Sequence, residues 1–107
     1  MSLTEKHCIH KAGKLDSQRV SALLAEVPGY ELDGQGAGIS KRYQFADFYH
    51  TVAFVNALAY IAHQEDHHPD LEVSYGKCKV SFTTHDAAGL TENDFICAAR
   101  VNALLRS

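Results

Sequence analysis

The run from Asp47 to Thr84, DFYHTVAFVNALAYIAHQEDHHPDLEVSYGKCKVSFTT, contains one change of hydrophobic period, and that change decides the fold. From Asp47 to about Asp66 the apolar residues Phe48, Val52, Val55, Ala59 and Ala62 recur at steps of four, three, four and three, tracing one face of a long helix. Pro69 cannot continue that helix and biases His68 away from helical angles, so the helix is expected to end close to His67. Beyond it the period falls to two. Leu71, Val73 and Tyr75 alternate with Glu72 and Ser74, Gly76-Lys77 supplies a tight turn, and Cys78, Val80, Phe82 and Thr84 alternate with polar residues. That pattern predicts a β-hairpin.

Similar signals lie on either side. Asp16 or Ser17 can cap a first helix whose apolar residues Val20, Leu23, Leu24 and Val27 stop at Pro28-Gly29. Tyr30-Glu31-Leu32 reads as a short strand, 34–38 as its turn, and 39–45 as a second strand with Ile39, Tyr43 and Phe45 on one face. After the hairpin, Thr91-Glu92-Asn93-Asp94 forms a capping box with Leu90 and Phe95 as its hydrophobic staple, opening a helix that should run to about Leu105. The order α-β-β-α-β-β-α predicts an α+β domain, a four-stranded sheet with helices on one face. At 107 residues, with no linker-like stretch, the chain is sized for a single domain. Residues 1–14 hold no sustained period and read as a mobile or loosely docked arm.

Bulk properties exclude several roles. Ten Lys plus Arg against 13 Asp plus Glu, with no basic stripe, disfavour direct nucleic-acid binding. The longest apolar stretch, 52–62, is too short and too mixed to span a bilayer, and residues 1–10 lack a secretory pattern. No membrane association and a cytoplasmic location are therefore expected. Cys8, Cys78 and Cys97 are odd in number with no C-x-x-C pair, and read as reduced thiols, two of them core fillers.

Of seven histidines, His63, His67, His68 and His85 gather at two element boundaries. Zinc binding fits poorly, because H-E-x-x-H needs Glu directly after the first His and Glu65 falls one place late. Nucleophilic catalysis lacks a G-x-S-x-G elbow or a Cys with an activating neighbour in sequence. General acid/base chemistry suits imidazole, whose pKa of about 6.5 leaves both protonation states available near neutrality. On spacing alone, His67-His68 before a proline also reads as a plain polar helix end.

The pattern His63-x-x-x-His67-His68-Pro69, then Tyr75, His85 and Asp94, resembles the signature of pterin-4a-carbinolamine dehydratases. The resemblance runs from about Leu15 to Leu105 through Pro28-Gly29-Tyr30, Phe45-Ala46-Asp47-Phe48, Asp66-His67-His68-Pro69-Asp70, Thr83-Thr84-His85-Asp86 and Ala88-Gly89-Leu90-Thr91. It implies an antiparallel sheet with three helices, a homo-oligomer assembled through dimers into tetramers, and no metal or organic cofactor. The implied reaction is dehydration of a small-molecule substrate, 4a-hydroxytetrahydropterin, to quinonoid dihydropterin. The resemblance assigns catalysis to His67, His68 and His85, with His67 and His85 moving protons and His68 orienting the pterin. It makes His63, Asp66, Pro69, Thr83, Thr84 and Asp86 the substrate-binding residues. Asp94 belongs to the same signature, yet the capping box explains it as structural. Two departures are His63, where many relatives carry glutamate, and Leu71, where many carry an aromatic residue. A related implication is a role as a dimerisation partner of a transcription factor, or in another pterin pathway.

Overall fold

The computed structural model describes residues 2–105. Three helices and four strands follow one another as α1 (Ser17–Leu24), β1 (Glu31–Leu32), β2 (Ile39–Gln44), α2 (Phe48–Glu65), β3 (Asp70–Ser74), β4 (Lys77–Phe82) and α3 (Glu92–Ala103), with single 3-10 turns at Leu3–Glu5 and His85–Ala87. The expected α+β order α-β-β-α-β-β-α is found. All strand pairings are antiparallel and the sheet order is β1-β2-β4-β3, so the long strands of each half lie together at its centre.

Local chemistry starts each helix. Asp16 accepts the Arg19 N–H at 2.8 Å ahead of α1, and Asp47 accepts the His50 N–H at 2.8 Å ahead of α2. Before α3, one oxygen of Asp94 accepts the Thr91 N–H at 2.9 Å, the acidic half of the predicted capping box. The hairpin turns at Tyr75-Gly76, one residue earlier than expected, since Ser74 pairs with Lys77. Its glycine is needed for close approach: a Cβ on Gly76 would sit 2.9 Å from the Phe45 carbonyl oxygen.

Period two buries Cys78, Val80 and Phe82 of β4 beside Ile39 and Tyr43 of β2, while Lys77, Lys79 and Ser81 face away. On that buried face lie α3, with Phe95, Cys97, Ala98 and Val101 fully buried, and α2. Each large apolar side chain removed from water there contributes about 1.5–3 kcal/mol.

The inward face of α2 differs from the expected one. Thr51, Phe54, Leu58, Ala62 and Glu65 are buried, whereas Phe48 is 51% exposed and Ala59 is exposed. Apolar residues lie on more than one side of this helix, so its periodicity does not choose between two faces. The choice is made by packing and by Thr51, whose hydroxyl donates to the Tyr75 carbonyl at 2.9 Å. Tyr75, which shares the apolar face of the predicted hairpin with Leu71 and Val73, is 69% exposed.

The segment 2–12 is held more firmly than its composition suggested. Leu3 is buried in the core, Arg100 donates to the Lys6 carbonyl, and Asn93 pairs with both backbone groups of Ile9, at 3.0 and 2.8 Å. Side chains from α2 and α3 supply the partners that an irregular segment lacks within itself.

Candidate active site

The end of α2 builds the first half of the site. Asp66 takes left-handed angles (φ 50°, ψ 44°), its N–H reaching the His63 carbonyl, and the His67 N–H returns to the Ala62 carbonyl at 3.1 Å. These are the paired bonds of a Schellman termination, with aspartate where glycine is commonest. The tight ending swings His67 off the helix and onto the core. Its ring stacks on Phe82 of β4, with centroids 6.1 Å apart and planes 9° apart.

There His67 meets Asp94. Nε2 of His67 lies 2.6 Å from Oδ1 of Asp94, with the imidazole 11% exposed and the carboxylate fully buried. The second carboxylate oxygen accepts the Thr91 N–H and the Thr84 hydroxyl at 2.8 Å. The Thr84 hydroxyl has one proton and gives it to Asp94, so it accepts from the Thr91 hydroxyl 2.8 Å away. An ionised carboxylate only accepts, and two other donors already hold this one, so Nε2 of His67 carries the proton of that hydrogen bond and Nδ1 is left as the acceptor of the neutral ring.

An open cavity of about 780 Å³ is lined by His67, Asp66, Thr84 and Asp86 together with 8–12, Glu65 and Asn93. Four of the nine residues assigned from the sequence therefore share it. His63, His68, Pro69, Thr83 and His85 are not on its lining. His63, on the last turn of α2, and His68 are exposed, and Pro69 is half-buried. His85 opens the exposed 3-10 turn after β4, one residue beyond Thr84. Thr83 turns the other way and donates to the Ala37 carbonyl at 2.6 Å, tying down the β1–β2 turn.

Sequence reasoning passed over two features. Asp94 was accounted for by its cap, but a cap occupies one carboxylate oxygen, and the unclaimed one is what holds His67. Glu65 enters the sequence reading only as a misplaced zinc-motif residue, with no role at the site. Its side chain is 2% exposed, with one oxygen 2.7 Å from the Cys8 N–H and the other 2.8 Å from His7 Nδ1. Burial works to raise its pKa, but the Cys8 N–H, the His7 ring and Arg100 outweigh it and hold the carboxyl below its ordinary range. No cluster of three or more His, Cys, Asp or Glu able to hold a metal ion occurs among the described residues.

Fold and site together define a small α+β protein with a carboxylate-oriented imidazole at the wall of an open polar cavity, an arrangement able to exchange protons with a bound small molecule. The chain belongs to the pterin 4 alpha carbinolamine dehydratase family, whose profile matches residues 13–104. It is 52% identical over 105 residues to a Xanthomonas oryzae pv. oryzae protein named "Putative pterin-4-alpha-carbinolamine dehydratase", covering 95% of this chain and 89% of that one. A crystal structure described as a transcriptional coactivator/pterin dehydratase from Brucella melitensis superposes with a TM-score of 0.84 at 26% identity, covering 88% of this chain and all of the other. A pterin dehydratase-like protein described as a RuBisCO assembly factor in the alpha-carboxysome gives 0.64 at 26% identity, covering 74% and 92%.

Proposed function

We propose that this protein is a hydro-lyase that converts 4a-hydroxytetrahydropterin to quinonoid dihydropterin, serving tetrahydrobiopterin recycling in the cytoplasm. The observation that carries the reading is the His67–Asp94 pair at the cavity wall, in a chain of this family. In the reaction the C4a–O bond breaks as the leaving hydroxyl takes a proton, N5 gives up its proton, and a C4a–N5 double bond forms. His67 accepts the N5 proton at Nδ1, and Asp94 steadies the resulting imidazolium. His85 delivers a proton to the departing oxygen, while His68 orients the pterin. Asp66, Thr84 and Asp86 contact the substrate from the cavity, His63 and Pro69 flank it at the end of α2, and Thr83 acts indirectly by anchoring the β1–β2 turn.

The protein acts as a homo-oligomer, a dimer or tetramer. Phe48, Tyr49 and Tyr60 of α2 are 51, 77 and 68% exposed, and Val73 on edge strand β3 is 45% exposed, more apolar surface than a small monomer needs to show. The same α2 surface supports a second reading, in which the fold serves as a protein-interaction module.

The test is dehydration of freshly generated 4a-hydroxytetrahydropterin by the purified protein, with and without a chelator. Turnover that survives chelation and falls by about 10²-fold or more in both His67→Ala and His85→Ala supports the mechanism. Unchanged rates in either variant overturn that histidine's role. A wild-type chain without turnover leaves the interaction reading.

A further inference from the structure

The segment 8–12, which lines the cavity, carries a thiol in contact with a second one. Cys8 lines the cavity, and its Sγ lies 3.5 Å from the Sγ of Cys97, which is fully buried in α3. The two sulfurs are 89 residues apart in sequence, and both are free thiols. Asn93 brings them together by pairing with both backbone groups of Ile9, and Glu65 does so by accepting the Cys8 N–H. A disulfide needs the sulfurs about 2.05 Å apart, so an approach of about 1.5 Å closes the bond. The irregular segment around Cys8 can make that shift, whereas Cys97 sits in the packed core.

We propose that Cys8 and Cys97 form a two-electron oxidation site, in which hydrogen peroxide converts the thiol pair to a disulfide that staples the cavity wall to α3. Cys8, open to the cavity, meets the oxidant first. Its sulfur attacks the peroxide, an S–O bond forms as the O–O bond breaks, and water leaves, so Cys8 becomes a sulfenic acid while the peroxide is reduced. The Cys97 sulfur then attacks that of Cys8, the S–S bond forms as the S–O bond breaks, and a second water leaves with the Cys97 proton. Two thiols thus lose two protons and two electrons, and hydrogen peroxide becomes two waters. Cys97 is suited to the second step only. Its hydrogen bond with Cys8 and its burial push the thiol pKa up, so Cys97 is a poor attacker of peroxide in solution and reacts with the one sulfur held against it. Contact between the two groups makes this closure faster than attack by any thiol from solution.

The consequence falls on the wall. Residues 8–12 line the same cavity as His67, so the bond fixes the position of that wall relative to the helix bearing Asp94. The site does not depend on the dehydratase reading, and its test measures no turnover. The full chain is treated with a few equivalents of hydrogen peroxide, then alkylated under denaturing conditions and weighed. The expected product has lost two hydrogens and two of its three alkylatable thiols, keeps Cys78, and returns to the starting mass with dithiothreitol. Cys8→Ser and Cys97→Ser each form no intramolecular bond. Amide exchange at Cys8 and Ile9 slows about tenfold or more in the oxidised chain. An oxygen adduct on Cys8 with Cys97 still alkylatable, or a disulfide between two chains, overturns the proposal. Unchanged amide exchange overturns the stapling of the wall.

Discussion

His67 and Asp94 stand 27 residues apart in sequence, and their side chains meet at 2.6 Å with the carboxylate wholly out of water. His67 lies two residues past the end of α2 and Asp94 in the first turn of α3, so the pair joins two helix termini through a charge-assisted hydrogen bond.

Replacing Asp94 with asparagine keeps the shape and removes the charge. The variant can present its amide nitrogen to His67, which then holds the wrong tautomer for accepting a proton at Nδ1. The expected result is a fall in kcat of about 10²-fold or more with little change in KM. Asp94→Ala also strands Thr84 and the Thr91 N–H, and a loss of about 2–4 kcal/mol is expected in denaturant unfolding.

Phe82 supports the imidazole from below and is 2% exposed. Phe82→Ala opens a core cavity and is expected to cost about 3–5 kcal/mol, read from the shift in urea midpoint. A shift below 1 kcal/mol, roughly the scale of a surface substitution, would contradict this packing.

Acid should release the segment around Cys8. The folded pKa of Glu65 is depressed, so its contribution to stability is complete above the unfolded glutamate value of about 4.3 and is lost as pH falls through the lower folded value. Between neutrality and about pH 3 the wild-type melting temperature should therefore drop more steeply than that of Glu65→Gln. Parallel curves would show that this carboxylate is not differentially stabilised by folding.

Exposed aromatic residues on α2 give the assembly its own test. Light scattering of the wild-type chain should report a dimer or tetramer, and Tyr49→Asp with Tyr60→Asp should shift it to a smaller species at unchanged helical content. A wild-type monomer at the concentrations used for assay would remove the oligomer from the proposal.

Much of this architecture was legible as local chemistry. The change of period between 47–66 and 71–84, the break before Pro69, the cap at Asp16 and the Thr91–Asp94 capping box depend on residues close together in the chain, and a linear reading captures them. The resemblance carried by His67-His68-Pro69 and His85 likewise led to the family that the matching profile shows. Three things were decided only when the chain folded. The rotation of α2 was one, because a helix apolar on more than one side fits either face to a period and only packing against β4 and α3 selects Phe54 and Leu58 over Phe48 and Ala59. The partner of His67 was another, since the second oxygen of a capping aspartate is claimed by whatever the tertiary structure brings to it. The last was the wall at 8–12, whose holding contacts come from Glu65 and Asn93, residues more than 50 positions away that no period in the segment itself could announce.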